Sequence, residues 1–122
     1  MPIVTVELVA DADRALEHNL AQSLADAVGR VLNSPSGQTW VRLRSLGRNE
    51  YAENGSKVEA DELPVFVTVL KRQLPLGAEL QAEVAALTQA IAQVVCRPVA
   101  CVHVEYAPAA AGRVSFGGEL VE

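Results

Sequence analysis

The sequence predicts an α/β fold made of two fused strand–helix–strand units, and three observations carry that prediction. Residues 2–8 (Pro-Ile-Val-Thr-Val-Glu-Leu) and 64–70 (Pro-Val-Phe-Val-Thr-Val-Leu) are matching β-branched runs. Each is followed by a long apolar stripe at helical spacing, and each stripe leads into a second strand-like run. The two openings are offset by roughly 62 residues, a repeat of two copies rather than an array. The 122 residues are therefore expected to form one domain, 1–122, of two pseudo-repeats spanning 2–62 and 64–122.

The elements follow in order. Residues 3–8 read as a strand, and Asp11 and Asp13 behind it are suited to cap a helix. Leu16, Leu20, Leu24, Val28 and Leu32 recur every four residues, which predicts one amphipathic helix of about 20 residues with His18 on its surface. Asn33-Ser34-Pro35-Ser36-Gly37 ends it. Residues 40–46 read as a second strand, with Trp40, Arg42 and Arg44 on one face and Val41 and Leu43 on the other. Residues 47–62 are polar and read as a connector or a short hairpin, and the strand at 64–70 restarts the pattern. Leu76, Leu80, Val84, Leu87, Ile91 and Val95 predict a second helix, and residues 99–106 a fourth strand.

A strand–helix–strand unit of this length requires a right-handed crossover and a parallel strand pair. Two such units side by side give a four-stranded sheet with both helices on one face. The other face is expected to be apolar enough to need covering by a partner chain.

Composition narrows the function. Half the residues are hydrophobic but only 4% are aromatic, so the core must be built from Val, Leu, Ile and Ala. A net charge of −5 with no concentrated basic segment argues against nucleic acid as a partner. No apolar stretch is long enough for a signal peptide or a membrane span, so a cytoplasmic chain with no membrane partner is expected. Cys96, Cys101, His18 and His103 supply no zinc-type ligand set, so no metal is expected and the two thiols read as reduced and structural.

Met1 followed by Pro2, the duplicated units, and the closing Gly112-Arg113-Val114-Ser115-Phe116-Gly117-Gly118-Glu119-Leu120 hairpin together resemble the tautomerase superfamily over nearly the whole chain. The first half is similar to a 4-oxalocrotonate tautomerase subunit from residue 2 to about 55, and the second half from 64 to 120, so the chain looks like a fused pair. Its length also resembles that of macrophage migration inhibitory factor and 5-carboxymethyl-2-hydroxymuconate isomerase. The resemblance implies a homotrimer that needs no cofactor. It also implies keto–enol isomerisation of a small-molecule 2-oxo or enol acid. Hydration, dehalogenation or decarboxylation within the same superfamily, or a non-catalytic binding role, are the alternatives it leaves open.

Carried onto this sequence, the resemblance makes Pro2 the general acid–base. A terminal proline is a secondary amine, and an α-amino group with a reference pKa of about 7.7–8.0 is brought toward neutrality by apolar burial. Retained Met1 would turn that amine into an amide, so its removal is expected. Lys71 and Arg72 fall near the place where related dehalogenases carry a substrate-binding arginine; strand alternation predicts that only one of them faces inward, and a solvated pair at a strand end is the plain alternative. Arg42 and Arg44 suggest an anion site or an intersubunit salt bridge. Trp40 falls where 4-oxalocrotonate tautomerase has a catalytic arginine, and His103 fills the equivalent slot of the second half. Both depart from the family pattern, with Arg42 placed to substitute from two residues on. Tyr51 aligns with the family's pocket phenylalanine, and Phe116 is expected to line the same cavity; packing is the simpler role for both. Glu105 suits water activation in the hydratase branch, and Arg113 suits bridging between subunits.

Overall fold

The computed structural model describes residues 2–11 and 17–122. Six strands and two helices succeed one another as β1 (Ile3–Ala10), α1 (Leu20–Val31), β2 (Trp40–Gly47), β3 (Val65–Leu70), α2 (Gly77–Val95), β4 (Val102–Tyr106), β5 (Ser115–Phe116) and β6 (Glu119–Leu120). The main sheet has the order β2-β1-β3-β4. Within each strand–helix–strand unit the pair is parallel, β1 with β2 and β3 with β4. The units join through an antiparallel β1–β3 seam in which Ile3 lies opposite Leu70 and Thr5 opposite Thr68. β5 and β6 form a separate hairpin, turned by Gly117 and Gly118 at φ 59° and 92°, where a Cβ would be strained.

Alternation places the core. Val4, Val6 and Leu8 of β1 and Val65, Val67 and Val69 of β3 point to one face and are buried, and Leu24 and Val28 of α1 with Leu87, Ile91 and Ala92 of α2 complete the same cluster. Both helices therefore cover one side of the sheet. Among the described residues no helix is long and apolar enough to cross a membrane. Cys96 is exposed, Cys101 is buried, and both are free.

Four expectations need correction. α1 spans 12 residues rather than about 20; His18 lies in a turn before it, and Asn19 enters it with φ 66°. Asp13 and Leu16, which prompted the longer reading, lie outside the described residues. Residues 99–101 form a 3-10 turn before β4, closed by the Cys101 N–H bond to the Pro98 carbonyl at 2.9 Å, because Pro98 offers no N–H to a ladder. Finally, the open face of the sheet is not apolar. It presents Thr5 and Glu7 from β1, Arg42 and Arg44 from β2, Thr68 from β3, and His103 and Glu105 from β4, among apolar members that include Ile3, Trp40, Leu46, Phe66 and Leu70.

Candidate functional site

The β1–β3 register sets the position of the candidate base. Ile3 pairs with Leu70, so one step beyond the seam Pro2 sits at the corner where Lys71 leaves the sheet. Pro2 is buried, and its carbonyl accepts the Trp40 N–H at 3.0 Å, which ties the head of β1 to the head of β2. A cleft of about 380 Å³ opens there, lined by Pro2, Leu32, the turn 33–35 and residues 71–73.

Lys71 and Arg72 both line this cleft, contrary to the alternation argument. β3 ends at Leu70, so the period of two stops before either residue. Beyond it the chain from β4 folds across: Ala107 N–H bonds the Val69 carbonyl at 2.9 Å, Ala110 N–H the Lys71 carbonyl at 2.8 Å, and Ala111 N–H the Arg72 carbonyl at 3.2 Å. The backbone of the cation pair is thus held by Ala110 and Ala111.

The two side chains have different partners. Lys71 Nζ lies 2.7 Å from Glu83 Oε1 of α2, and the Tyr106 hydroxyl donates to Glu83 Oε2 at 2.6 Å. Arg72 Nε donates to the backbone oxygen of Glu122. Burial, and then the bond to Glu83, push the Tyr106 phenol above its ordinary value of 10.0. Because the folded value is the higher one, Tyr106 contributes its full stabilisation below about pH 10 and loses it as pH rises further. Tyr106→Phe is therefore expected to cost about 1–2 kcal/mol near neutrality, and to flatten the fall in stability between pH 9.5 and 11. Urea unfolding of both proteins across that range checks this; parallel curves would remove Tyr106 from the account.

The remaining sequence candidates do not line the Pro2 cleft. Arg42 projects on the open face and donates to Thr5 Oγ1 at 3.1 Å. Tyr51, Phe66 and His103 form an aromatic row, with ring centroids 5.7 Å apart for Tyr51–Phe66 and 5.5 Å for Phe66–His103. Phe66 lies opposite Glu7, five residues from Pro2, or roughly 16 Å along the strand. Tyr51 and Phe66 of this row line a second concavity of about 350 Å³ together with Glu7 and Glu105. Glu105 accepts from Thr68 Oγ1 at 3.1 Å. Phe116 packs edge-on against Trp40 at 5.0 Å, and Trp40, 51% exposed, is steadied by its indole N–H bond to Gly37. Arg113 donates to the carbonyls of Pro108 and Ala109 and so fastens its own loop.

Sequence reasoning missed Glu83 and the 33–35 wall. Glu83 was legible in principle: it falls three residues after Leu80 and four before Leu87, on the flank of the apolar stripe, where an unpaired carboxylate would be costly. Residues 33–35 registered only as a helix stop.

No family profile and no curated protein matches the sequence. Solved structures do match, end to end. Pt0534, determined after inactivation by 2-oxo-3-pentynoate, has a TM-score of 0.73 at 20% identity, covering 97% of this chain and 94% of its own. The symmetric trimer of wild-type Q0 fused 4-OT gives 0.72 at 18% identity, with 98% and 94% covered. A macrophage migration inhibitory factor-like protein from Entamoeba histolytica gives 0.72 at 10% identity, with 98% and 97% covered. The fold is the one that fused 4-OT and MIF-like proteins share. The predicted α/β class, two fused strand–helix–strand units with both helices on one face and a C-terminal hairpin, is the observed 4-OT/MIF-like architecture. At these identities the likeness is one of backbone, and the side chains of the Pro2 corner are this chain's own.

Proposed function

We propose that the chain is a keto–enol tautomerase of small 2-oxo or enol carboxylates, with Pro2, freed of Met1, as its acid–base group. One observation carries this: buried Pro2 shares a cleft with Lys71 and Arg72 in a fold also seen in a protein inactivated by a 2-oxo acid derivative.

Each part of the corner then has a task. Burial favours the neutral amine over the ammonium form. That amine takes a proton from the carbon or enol oxygen next to the carbonyl and returns it at the other position, so no net atom or electron is exchanged. The cationic side of the cleft holds the substrate carboxylate and fixes which carbon faces the amine. The chemistry draws on no cofactor.

A homotrimer belongs to the same proposal. β2 and β4 are the free edges of the sheet, and the open face carries both signs of charge. Arg42, Tyr51, His103 and Phe116 would then reach a Pro2 cleft only from a neighbouring chain. Light scattering on the purified protein is expected to give three times the chain mass; a monomer that turns substrate over would confine the site to Pro2, Lys71 and Arg72.

The deciding assay is ketonisation of phenylenolpyruvate and of 2-hydroxymuconate by protein whose Met1 removal is verified by intact mass. Turnover that requires the free Pro2 amine is the expected result. Inactivity of fully processed protein on both would overturn tautomerisation of these acids.

A further inference from the structure

One row of the open face carries opposite charges at its two ends. The register aligns Arg42 of β2 with Thr5 of β1, Thr5 with Thr68 of β3, and Thr68 with Glu105 of β4. Both end residues are exposed. Inside the chain each meets a neutral hydroxyl: Arg42 donates to Thr5 Oγ1 at 3.1 Å, and Glu105 accepts from Thr68 Oγ1 at 3.1 Å. Three strand spacings, about 14 Å, lie between their backbones, with both threonines in between. Among the described residues the ion pairs are Arg48–Asp11 and Lys71–Glu83, and neither involves this row.

The two free edges of the sheet therefore differ in sign. β2 carries Arg42 and Arg44 and no acidic residue; Arg44 has Glu7 beside it in its own chain, which leaves Arg42 as the uncompensated cation. β4 carries Glu105 and no lysine or arginine. Contact of β2 with a second β2 would gather four guanidinium groups, and contact of β4 with a second β4 two carboxylates, and like charges side by side destabilise a sheet. Contact of β2 with β4 sets opposite charges about 4.8 Å apart, one strand spacing. Because β2 and β4 run antiparallel within the chain, a copy placed at that edge continues the same alternation and the same row. Trp40, exposed at the head of β2, adds a large apolar group of the kind that anchors interfaces.

We propose that copies of this chain associate head to tail, the β2 edge of one against the β4 edge of the next, with Arg42 facing the partner's Glu105. Each copy uses a different edge on each side, so the contact is heterologous, the kind that closes into a ring. The proposal rests on the self-association stated above and not on the reaction. It assigns Arg42 to the seam between copies rather than to a substrate anion, and it names the charges that fix the order of the ring.

The test is light scattering and sedimentation over a range of concentrations on the wild type, Arg42→Glu, Glu105→Arg and the two combined. Each single reversal is expected to raise the dissociation constant by about 10–100-fold, since a repulsion replaces an attraction. The combined reversal is expected to recover at least about tenfold of either loss. Mixing the two single variants is expected to give an association that neither shows alone, because the reversed β2 of one then meets the reversed β4 of the other. If a reversal does not fold, Arg42→Gln and Glu105→Gln take its place, and the loss in that pair combined should equal the loss in either alone.

An Arg42→Glu chain that associates more tightly than the wild type would reveal β2–β2 contact and overturn the proposal. A combined reversal no better than either single, additive losses in the glutamine pair, or a wild type that stays monomeric would overturn it as well. Association in the expected order without Pro2-dependent turnover of phenylenolpyruvate would sink tautomerisation while upholding the seam; a monomeric wild type with that turnover would do the reverse.

Discussion

Protein that keeps Met1 is expected to lose roughly 10²–10⁴-fold in kcat/KM for ketonisation, the contribution of a positioned acid–base group. An amide nitrogen has no basic lone pair, so the loss arises without any change of side chain. Pro2→Ala with Met1 removed is expected to fall between this protein and the wild type. It leaves a primary amine at the same corner, but without the ring that fixes its direction. Neither change removes the bond from Trp40 N–H to the carbonyl of residue 2, which is a backbone contact, so circular dichroism and thermal unfolding should match the wild type. Equal rates for Met1-retaining and processed protein, each verified by intact mass, would exclude the Pro2 amine from the chemistry.

Leu87→Ala is expected to destabilise the fold by about 2–5 kcal/mol, the cost of deleting a buried leucine and leaving part of its cavity. Leu87 is 0% exposed and belongs to the cluster that joins α2 to the strand valines and to Leu24 and Val28 of α1. Tyr106 packs against that cluster, but its hydroxyl is bonded to Glu83, which holds the ring from collapsing into the space. Urea unfolding at one fixed protein concentration measures the loss, since an assembling chain makes stability concentration-dependent. Turnover per folded molecule should be unchanged, because Leu87 lines none of the Pro2 cleft. A loss below about 1 kcal/mol would mean that the core tolerates the void, against the packing argued above.

The strands were the most legible part of the molecule. Period-two alternation of β-branched residues placed all four strands of the main sheet, and the repeat between 2–8 and 64–70 placed them in two units. What failed were arguments that carried one rule past its range. Helical spacing extended through Leu16, yet the first described helical residue is Leu20. Alternation was extended to Lys71 and Arg72, yet the strand stops at Leu70. The expectation of an apolar open face followed from layer architecture alone, although Thr5, Glu7, Arg42, Arg44 and Thr68 already stood at the alternate positions that contradict it.

The candidate site was legible only where sequence neighbours share it. Lys71 and Arg72 came from adjacency at a strand end. Glu83, which pairs with Lys71, and Tyr106, which bonds Glu83, come from α2 and β4, and no local spacing reports such a meeting. Tyr51 and His103 illustrate the converse, since resemblance grouped them with Pro2 while the register sets their aromatic row five residues along β1.

The antiparallel seam gives the sheet two corners of like construction, one headed by Pro2 and the other by Pro64. At the second corner Pro64 is buried, its carbonyl accepts Val9 N–H at 3.1 Å, and Arg97 Nη1 closes over the carbonyls of Leu63 and Pro64 at 3.1 Å each. An internal proline has no amine to offer, and here aliphatic side chains and a guanidinium stopper occupy its surroundings. The fold thus leaves one corner as an opening and makes the other a rivet. With Pro2 as the proposed base, a ring of n such chains would carry n reaction centres in a framework with 2n positions for them, and every idle position would serve as a fastening.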